Sequence, residues 1–148
     1  MTTGAKKRSD QFAVGDTYAD FEFTVTREFN ENFCQSLEDF HPRYMEFGPD
    51  GKPPIVHTGL LINFSNLTRS PSFSLPAGMA AIHTHEEVTY GKPVRVGTKI
   101  KVSWTVVEVY EKRGKWYQVL DCPIRDEQGD LILRRKSTNT FFGQPKST

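Results

Sequence analysis

Residues 55–68, Ile55-Val56-His57-Thr58-Gly59-Leu60-Leu61-Ile62-Asn63-Phe64-Ser65-Asn66-Leu67-Thr68, decide the fold. Leu60, Leu61, Phe64 and Leu67 recur at spacings of one, three and three, which predicts an apolar helix from about Thr58 to Thr68. Ser70-Pro71 stops it, because proline cannot continue the hydrogen-bond ladder. A helix this apolar needs cover, and the flanking sequence must supply it.

Downstream, four strand-like stretches at about 80–90, 98–111, 115–126 and 131–142 are separated by Gly91-Lys92-Pro93, Arg113-Gly114 and Gln128-Gly129-Asp130. These are turn residues at hairpin spacing. Upstream, Phe21, Phe23 and Val25 alternate with Glu22, Thr24 and Thr26, the period of two of a half-buried strand. Thr26 then sits as an N-cap before Phe29, Phe33, Cys34 and Leu37, and the helix it opens runs to about Glu38. From Phe40 to Val56, four prolines exclude a continuous helix and predict a long loop, a common location for function. One strand, two helices and a four-strand antiparallel meander describe a single α+β domain over residues 13–143. Residues 1–12 read as a flexible polar tail and 144–148 as a C-terminal tail.

Composition excludes several function classes. The 148 residues carry 19 basic and 18 acidic side chains, a net charge of +1, so no global field draws nucleic acid or an anionic membrane. Lys6-Lys7-Arg8 and Arg134-Arg135-Lys136, the basic runs, read as a solvated tail and a solvated strand face. No stretch approaches the ~20 apolar residues of a membrane span, and no export signal stands at the start. Cys34 and Cys122 lack the spacing of a metal or redox pair, which suits reduced thiols in a cytoplasmic protein.

The strings Val14-Gly15-Asp16, Thr26-Arg27-Glu28, Asp39-x-x-Pro42, Ile55-Val56-His57 and Tyr90-Gly91-Lys92-Pro93-Val94 follow in an order and spacing covering about residues 14–142. In this the chain resembles the MaoC-like (R)-specific enoyl-CoA hydratase/dehydratase family of the hot-dog superfamily. The resemblance implies an antiparallel sheet wrapped around a central helix, and hydration or dehydration of an enoyl or 3-hydroxyacyl thioester. It also implies an acyl-CoA or acyl-carrier thioester as partner, no metal or redox cofactor, and a homodimer with an acyl tunnel at the subunit interface. A heterodimer with a related hot-dog chain is the other assembly. In that family the stretch after the first helix reads Asp-x-Asn-Pro-x-His; here it reads Asp39-Phe40-His41-Pro42-Arg43-Tyr44. His41 replaces the asparagine and Tyr44 the catalytic histidine.

By that resemblance Asp39 accepts a proton from water; without it, Asp39 would read as a turn residue capping the next loop. Tyr44 is a hydrogen-bond donor or an aromatic loop anchor, while His41 and His57 are imidazoles able to stand in for the family histidine. The Thr58 and Gly59 amides open the central helix, where unpaired N–H groups can hold a thioester oxygen. Arg43 and Arg69 offer guanidinium groups to a phosphate or carboxylate, and Asn63, Ser65 and Asn66 either line a pocket or pair with backbone. His83, His85 and Glu87, two apart on a strand, would share a face and could in principle ligate a metal. Two other readings stay open. One is a hot-dog thioesterase, against which stands the absence of Asp or Glu between Thr58 and Thr68. The other is a catalytically silent subunit that binds an acyl thioester beside an active partner.

Overall fold

The structure, a computed structural model, describes residues 7–8, 11–67 and 73–144. Among these, the chain order is β1 (Lys7–Arg8), β2 (Phe21–Thr24), α1 (Arg27–Ser36), α2 (Pro42–Met45), α3 (Thr58–Leu67), β3 (Phe73–Ser74), β4 (Met79–Tyr90), β5 (Lys99–Val102), β6 (Thr105–Lys112), β7 (Lys115–Asp126) and β8 (Leu131–Gly143). One antiparallel six-stranded sheet runs β2-β5-β7-β8-β4, with β6 also paired to β7, and a small parallel pair joins β1 to β3. It is an α+β domain with a buried helix. Leu60 and Leu61 of α3 are each 1% exposed and pack in one cluster with Val102, Leu120, Cys122, Ile124 and Leu133 from the sheet. Each such side chain contributes roughly 1.5–3 kcal/mol through burial.

Hairpins form at Arg113-Gly114 and at Gln128-Gly129-Asp130, but not at Gly91-Lys92-Pro93: β4 pairs with β8 at the sheet edge rather than with the strand that follows it, so the expected four-strand meander is corrected to a sheet with a crossover. The predicted strand at 98–111 divides into β5 and β6, because Ser103-Trp104 break the pairing so that both halves run along β7 in succession. Trp104, 1% exposed, turns into the core there and its indole Nε1 donates to the Ser65 carbonyl at 3.2 Å. The expected N-terminal tail is shorter than 1–12: Lys7–Arg8 pairs with Phe73–Ser74, and Phe12 is buried with its ring 4.7 Å from Tyr18. An aromatic residue among polar neighbours is enough to anchor a segment by burial. Thr68, Arg69 and Ser70-Pro71 lie outside the described residues, as do residues 145–148 of the expected C-terminal tail. No helix among the described residues is long and apolar enough to cross a membrane.

Two devices place the loop before α3. Thr26 caps α1, its Oγ1 accepting from the Phe29 amide at 3.2 Å. At the other end Glu38 adopts φ 55°, the left-handed conformation that ends helices, and the Asp39 amide donates back to the Cys34 carbonyl at 3.0 Å. The stretch predicted as pure loop contains the one-turn helix α2. Pro42 stands at its start, where the missing N–H costs nothing, and His41 caps it through Nδ1, which accepts from the Arg43 amide at 3.2 Å.

Candidate active site

α1 ends, α2 turns and α3 begins around one side-chain cluster. Asp39, carried past the end of α1, directs Oδ2 at His57 Nε2, 3.2 Å away, while its Oδ1 accepts from the His41 amide at 3.2 Å. His57 caps α3: its Nδ1 accepts from the Gly59 amide at 3.0 Å. A backbone N–H can only donate, so Nδ1 carries no proton in this arrangement and the neutral ring holds its proton on Nε2, pointing at Asp39. The helix start therefore selects the tautomer and aims the imidazole. Tyr44 lies against the same ring, centroids 4.7 Å apart, with Phe33 on it at 5.3 Å.

Asn30 joins these segments and escaped the sequence reading. It is fully buried; its Oδ1 accepts from the His57 amide at 2.8 Å, and its Nδ2 donates to the carbonyls of Tyr44 at 2.9 Å and Ile55 at 3.4 Å. One side chain thus positions both the loop carrying Tyr44 and the start of α3. The available signal was its place on α1, four residues before buried Cys34 and so on the inward face. Burial, and then the charge of Asp39, push the Cys34 thiol up, which keeps it a poor nucleophile.

The residues expected to share a site are mostly gathered here. Asp39, His57, Tyr44 and His41 form the cluster, the last with its ring 6.1 Å from Tyr44. Tyr44, Thr58 and Arg43 line a cleft of about 380 Å³ that also touches Leu61, Tyr90 and Lys92. Lys92 is held at 2.6 Å by both Asp126 and Asp130, whereas Arg43 forms no ion pair among the described residues and lies 5.8 Å from the Tyr44 ring centre. Three expectations are corrected. The Gly59 amide is committed to His57 Nδ1 and is not open to a ligand; the Thr58 amide, with no hydrogen-bond partner among the described residues, is. Asn63 lies on the exposed side of α3 and does not join the cluster. Ser65 and Asn66 do not line the Tyr44 cleft, and bind Arg135 at 2.6 and 2.8 Å.

His83 and His85 do not share a face as their spacing suggests. A β-bulge between them adds a residue, so His83 meets Glu86 at 2.8 Å and His85 meets Glu87 at 3.3 Å. No group of three or more His, Cys, Asp or Glu that could hold a metal occurs among the described residues.

Gly59 has a specific role in this geometry. A Cβ there would stand 3.0 Å from His57 Nδ1 and 3.3 Å from Phe33 Cε1. Gly59→Ala should therefore displace the imidazole while favouring the helix itself, since Ala exceeds Gly by about 1 kcal/mol in helix propensity. The expected result is a thermal midpoint unchanged or higher with activity reduced ~10-fold, read by melting and turnover on the same preparation.

No protein-family model matches the chain. A UPF0336 protein of Streptomyces griseus is 25% identical over 134 residues, covering 84% of this chain and 89% of its own length. Among solved structures, a MaoC-like dehydratase from Rhodospirillum rubrum superposes with a TM-score of 0.75 at 16% identity, over 94% of this chain and 99% of its own. The chain has the hot-dog fold. An (R)-hydratase from A. caviae involved in PHA biosynthesis shares it, with TM-score 0.72 and 20% identity over 88% and 98% of the two chains. So does the HadBC (3R)-hydroxyacyl-ACP dehydratase complex of Mycobacterium tuberculosis, with TM-score 0.67 and 17% identity over 86% and 96%. Within this hot-dog chain, α3 is the helix the sheet encloses, and the Asp39–His57 pair sits at its N-terminal end.

Proposed function

We propose that the chain is a hydro-lyase that adds water to, or removes it from, an enoyl or 3-hydroxyacyl thioester of coenzyme A or an acyl carrier. The observation that carries this reading is the Asp39–His57 pair beside the open Thr58 amide. In hydration, Asp39 takes a proton from water as the water oxygen bonds to the β-carbon, and electrons shift onto the thioester oxygen, held by the Thr58 N–H at the positive end of α3. Asp39 then returns the proton to the α-carbon, and dehydration is the reverse. His57 steadies the carboxylate through Nε2–H. The Tyr44 hydroxyl, without a partner among the described residues, orients the water. Arg43 at the cleft suits a phosphate of the carrier. The likeness in fold to hydratases and dehydratases supports the reaction class.

A second reading, a silent subunit that completes an active partner's site, is favoured by two features. Neither nitrogen of His57 is free to accept a proton, and Tyr44 stands in place of the family histidine. Crotonyl-CoA separates the readings: hydration removes enoyl absorbance without releasing thiol, hydrolysis releases thiol, and a silent subunit does neither. Tyr44→Phe should slow hydration several-fold if the hydroxyl orients water, and leave turnover unchanged if the ring only packs. Tyr44→His should raise hydration if Tyr44 marks a degenerate site.

The same reading calls for a second subunit. β4 is twelve residues long and among the described residues pairs only with β8, which leaves its outer edge open to them, with Ile82 45% and Tyr90 59% exposed. Pairing of this edge with a second copy, or with a related hot-dog chain, would cover it and bring a second surface to the Tyr90 cleft. Sedimentation at micromolar concentration should give twice 16.9 kDa for the homodimer. A monomer that stays one in the presence of thioester would exclude the self-paired form.

A further inference from the structure

The Tyr44 cleft is apolar along most of its wall, where Val56, Leu61, Val94, Ile132 and Leu133 stand, and no acidic side chain borders it among the described residues. Two cations do. Lys92 is neutralised by Asp126 and Asp130, both at 2.6 Å, whereas Arg43 has neither an ion pair nor a side-chain hydrogen bond among the described residues. Its place is fixed all the same. The Arg43 amide donates to His41 Nδ1 at 3.2 Å, its carbonyl accepts from the Ile55 amide at 2.8 Å, and its guanidinium lies over the Tyr44 ring, 5.8 Å from the centre. Glu46 and Asp50 border a neighbouring hollow that Arg43 shares, but Asp50 is taken by Lys52 at 3.0 Å, and neither pairs with the guanidinium. An unpaired cation at the rim of an apolar cleft calls for an anion carried on an apolar ligand.

We infer that the acyl group taken by this cleft is short and ends in a carboxylate, which the Arg43 guanidinium binds. The inference rests on the thioester reading of the same cleft and names its acyl group. In that reading the Thr58 amide holds the thioester oxygen and the Tyr44 hydroxyl faces water at the β-carbon, so the acyl end beyond that carbon meets the residue beside Tyr44. A carboxyl group about two carbons past the β-carbon has its oxygens roughly 4 Å from it, at ~1.5 Å per bond. That is within reach of a guanidinium lying over the Tyr44 ring. The phosphate of a carrier, the other oxyanion that suits arginine, is about 13 bonds from the thioester sulfur, ~15 Å of extended arm at ~1.2 Å per bond. That arm leaves the thioester on the side away from the acyl group.

Isothermal titration of the full chain with glutaryl-CoA and with pentanoyl-CoA tests this apart from turnover, since the two differ only in carboxylate for methyl and have no double bond to react. Glutaryl-CoA should bind about tenfold tighter or more, and Arg43→Gln should remove the difference. Glutaryl-pantetheine, which lacks the phosphates, should keep the same dependence on Arg43. The inference is overturned if the two thioesters bind alike to the parent, if neither binds, or if the difference survives in Arg43→Gln. A loss shared equally by both thioesters in that variant assigns the arginine to the carrier phosphate and overturns it as well. Arg43 is exposed, so its replacement leaves the core untouched, and the comparison within the parent decides even if the variant does not fold. The unsaturated counterparts, glutaconyl-CoA and 2-pentenoyl-CoA, keep the two readings apart: tighter glutaryl binding with no loss of enoyl absorbance from either supports the carboxylate site and removes hydration.

Discussion

Asp39→Asn is expected to lower turnover of an enoyl thioester by ~10²-fold or more while leaving the fold intact. Asparagine keeps the shape but has one acceptor oxygen, so it keeps only one of the two hydrogen bonds that residue 39 accepts, from His57 Nε2 or from the His41 amide. What it loses is the basic carboxylate, the only group in the cluster free to take a proton: His57 Nδ1 receives the Gly59 amide and Nε2 carries hydrogen. The loss should appear in kcat with little change in KM, since residue 39 acts on water rather than on the thioester. Equal turnover in Asp39→Asn and the parent, with matched circular dichroism and melting, would remove this cluster as the catalytic centre.

Arg135→Met carries the largest expected effect on stability. Read in sequence as part of a solvated basic run, Arg135 is 1% exposed and lies under α3. Its Nε donates to Glu86 Oε1 at 2.5 Å, and its Nη1 reaches the Ile62 carbonyl and the side-chain oxygens of Ser65 and Asn66 at 2.6–2.8 Å. The guanidinium also lies 5.3 Å from the Trp104 ring centre. One cation thus ties the helix to the sheet, and its removal leaves Glu86 with a poorly compensated charge. Breaking such a pair costs about 3–5 kcal/mol, measurable as a lower urea midpoint. The double variant Arg135→Met/Glu86→Gln should recover a large part of the loss, because no lone charge then remains.

The same pair sets an acid limit. Burial alone would raise the Glu86 carboxyl, but hydrogen bonds from Arg135 and Ser137 outweigh it and hold the group below its ordinary value of 4.5. A carboxyl depressed on folding contributes stability that is complete above that ordinary value and fades as pH falls through the lower folded one. Stability of the parent should therefore decline below about pH 4.5, and Glu86→Gln should flatten that part of the profile.

The strands and helices were legible where a local pattern had one physical solution. The period of two at Phe21–Thr24, the apolar helix at Thr58–Leu67 and the strand bounds at Lys115–Asp126 follow from side-chain direction and turn chemistry alone. Asp39, Tyr44 and His57 could be named as one group because ordered short strings resembled a family, although the strings lie far apart in the chain. Local pattern failed where burial depends on distant partners. Arg135 reads as a surface charge until Glu86 of β4, Ser65 of α3 and Trp104 between β5 and β6 close around it. Asn30 reads as an ordinary helical residue until the loop and α3 need its amide.

Sequence by itself thus determined the two longer helices and the long strands, the apolar helix that needs a sheet around it, and the residue types at its start. Only the tertiary structure decided how His57 is used. The Gly59 amide on Nδ1 and the Asp39 carboxylate on Nε2 assign each nitrogen a single role, and those assignments exist only where the end of α1 meets the beginning of α3. Hydrogen-bond direction is a property of atoms brought within about 3 Å, which residue order leaves undefined until the chain folds.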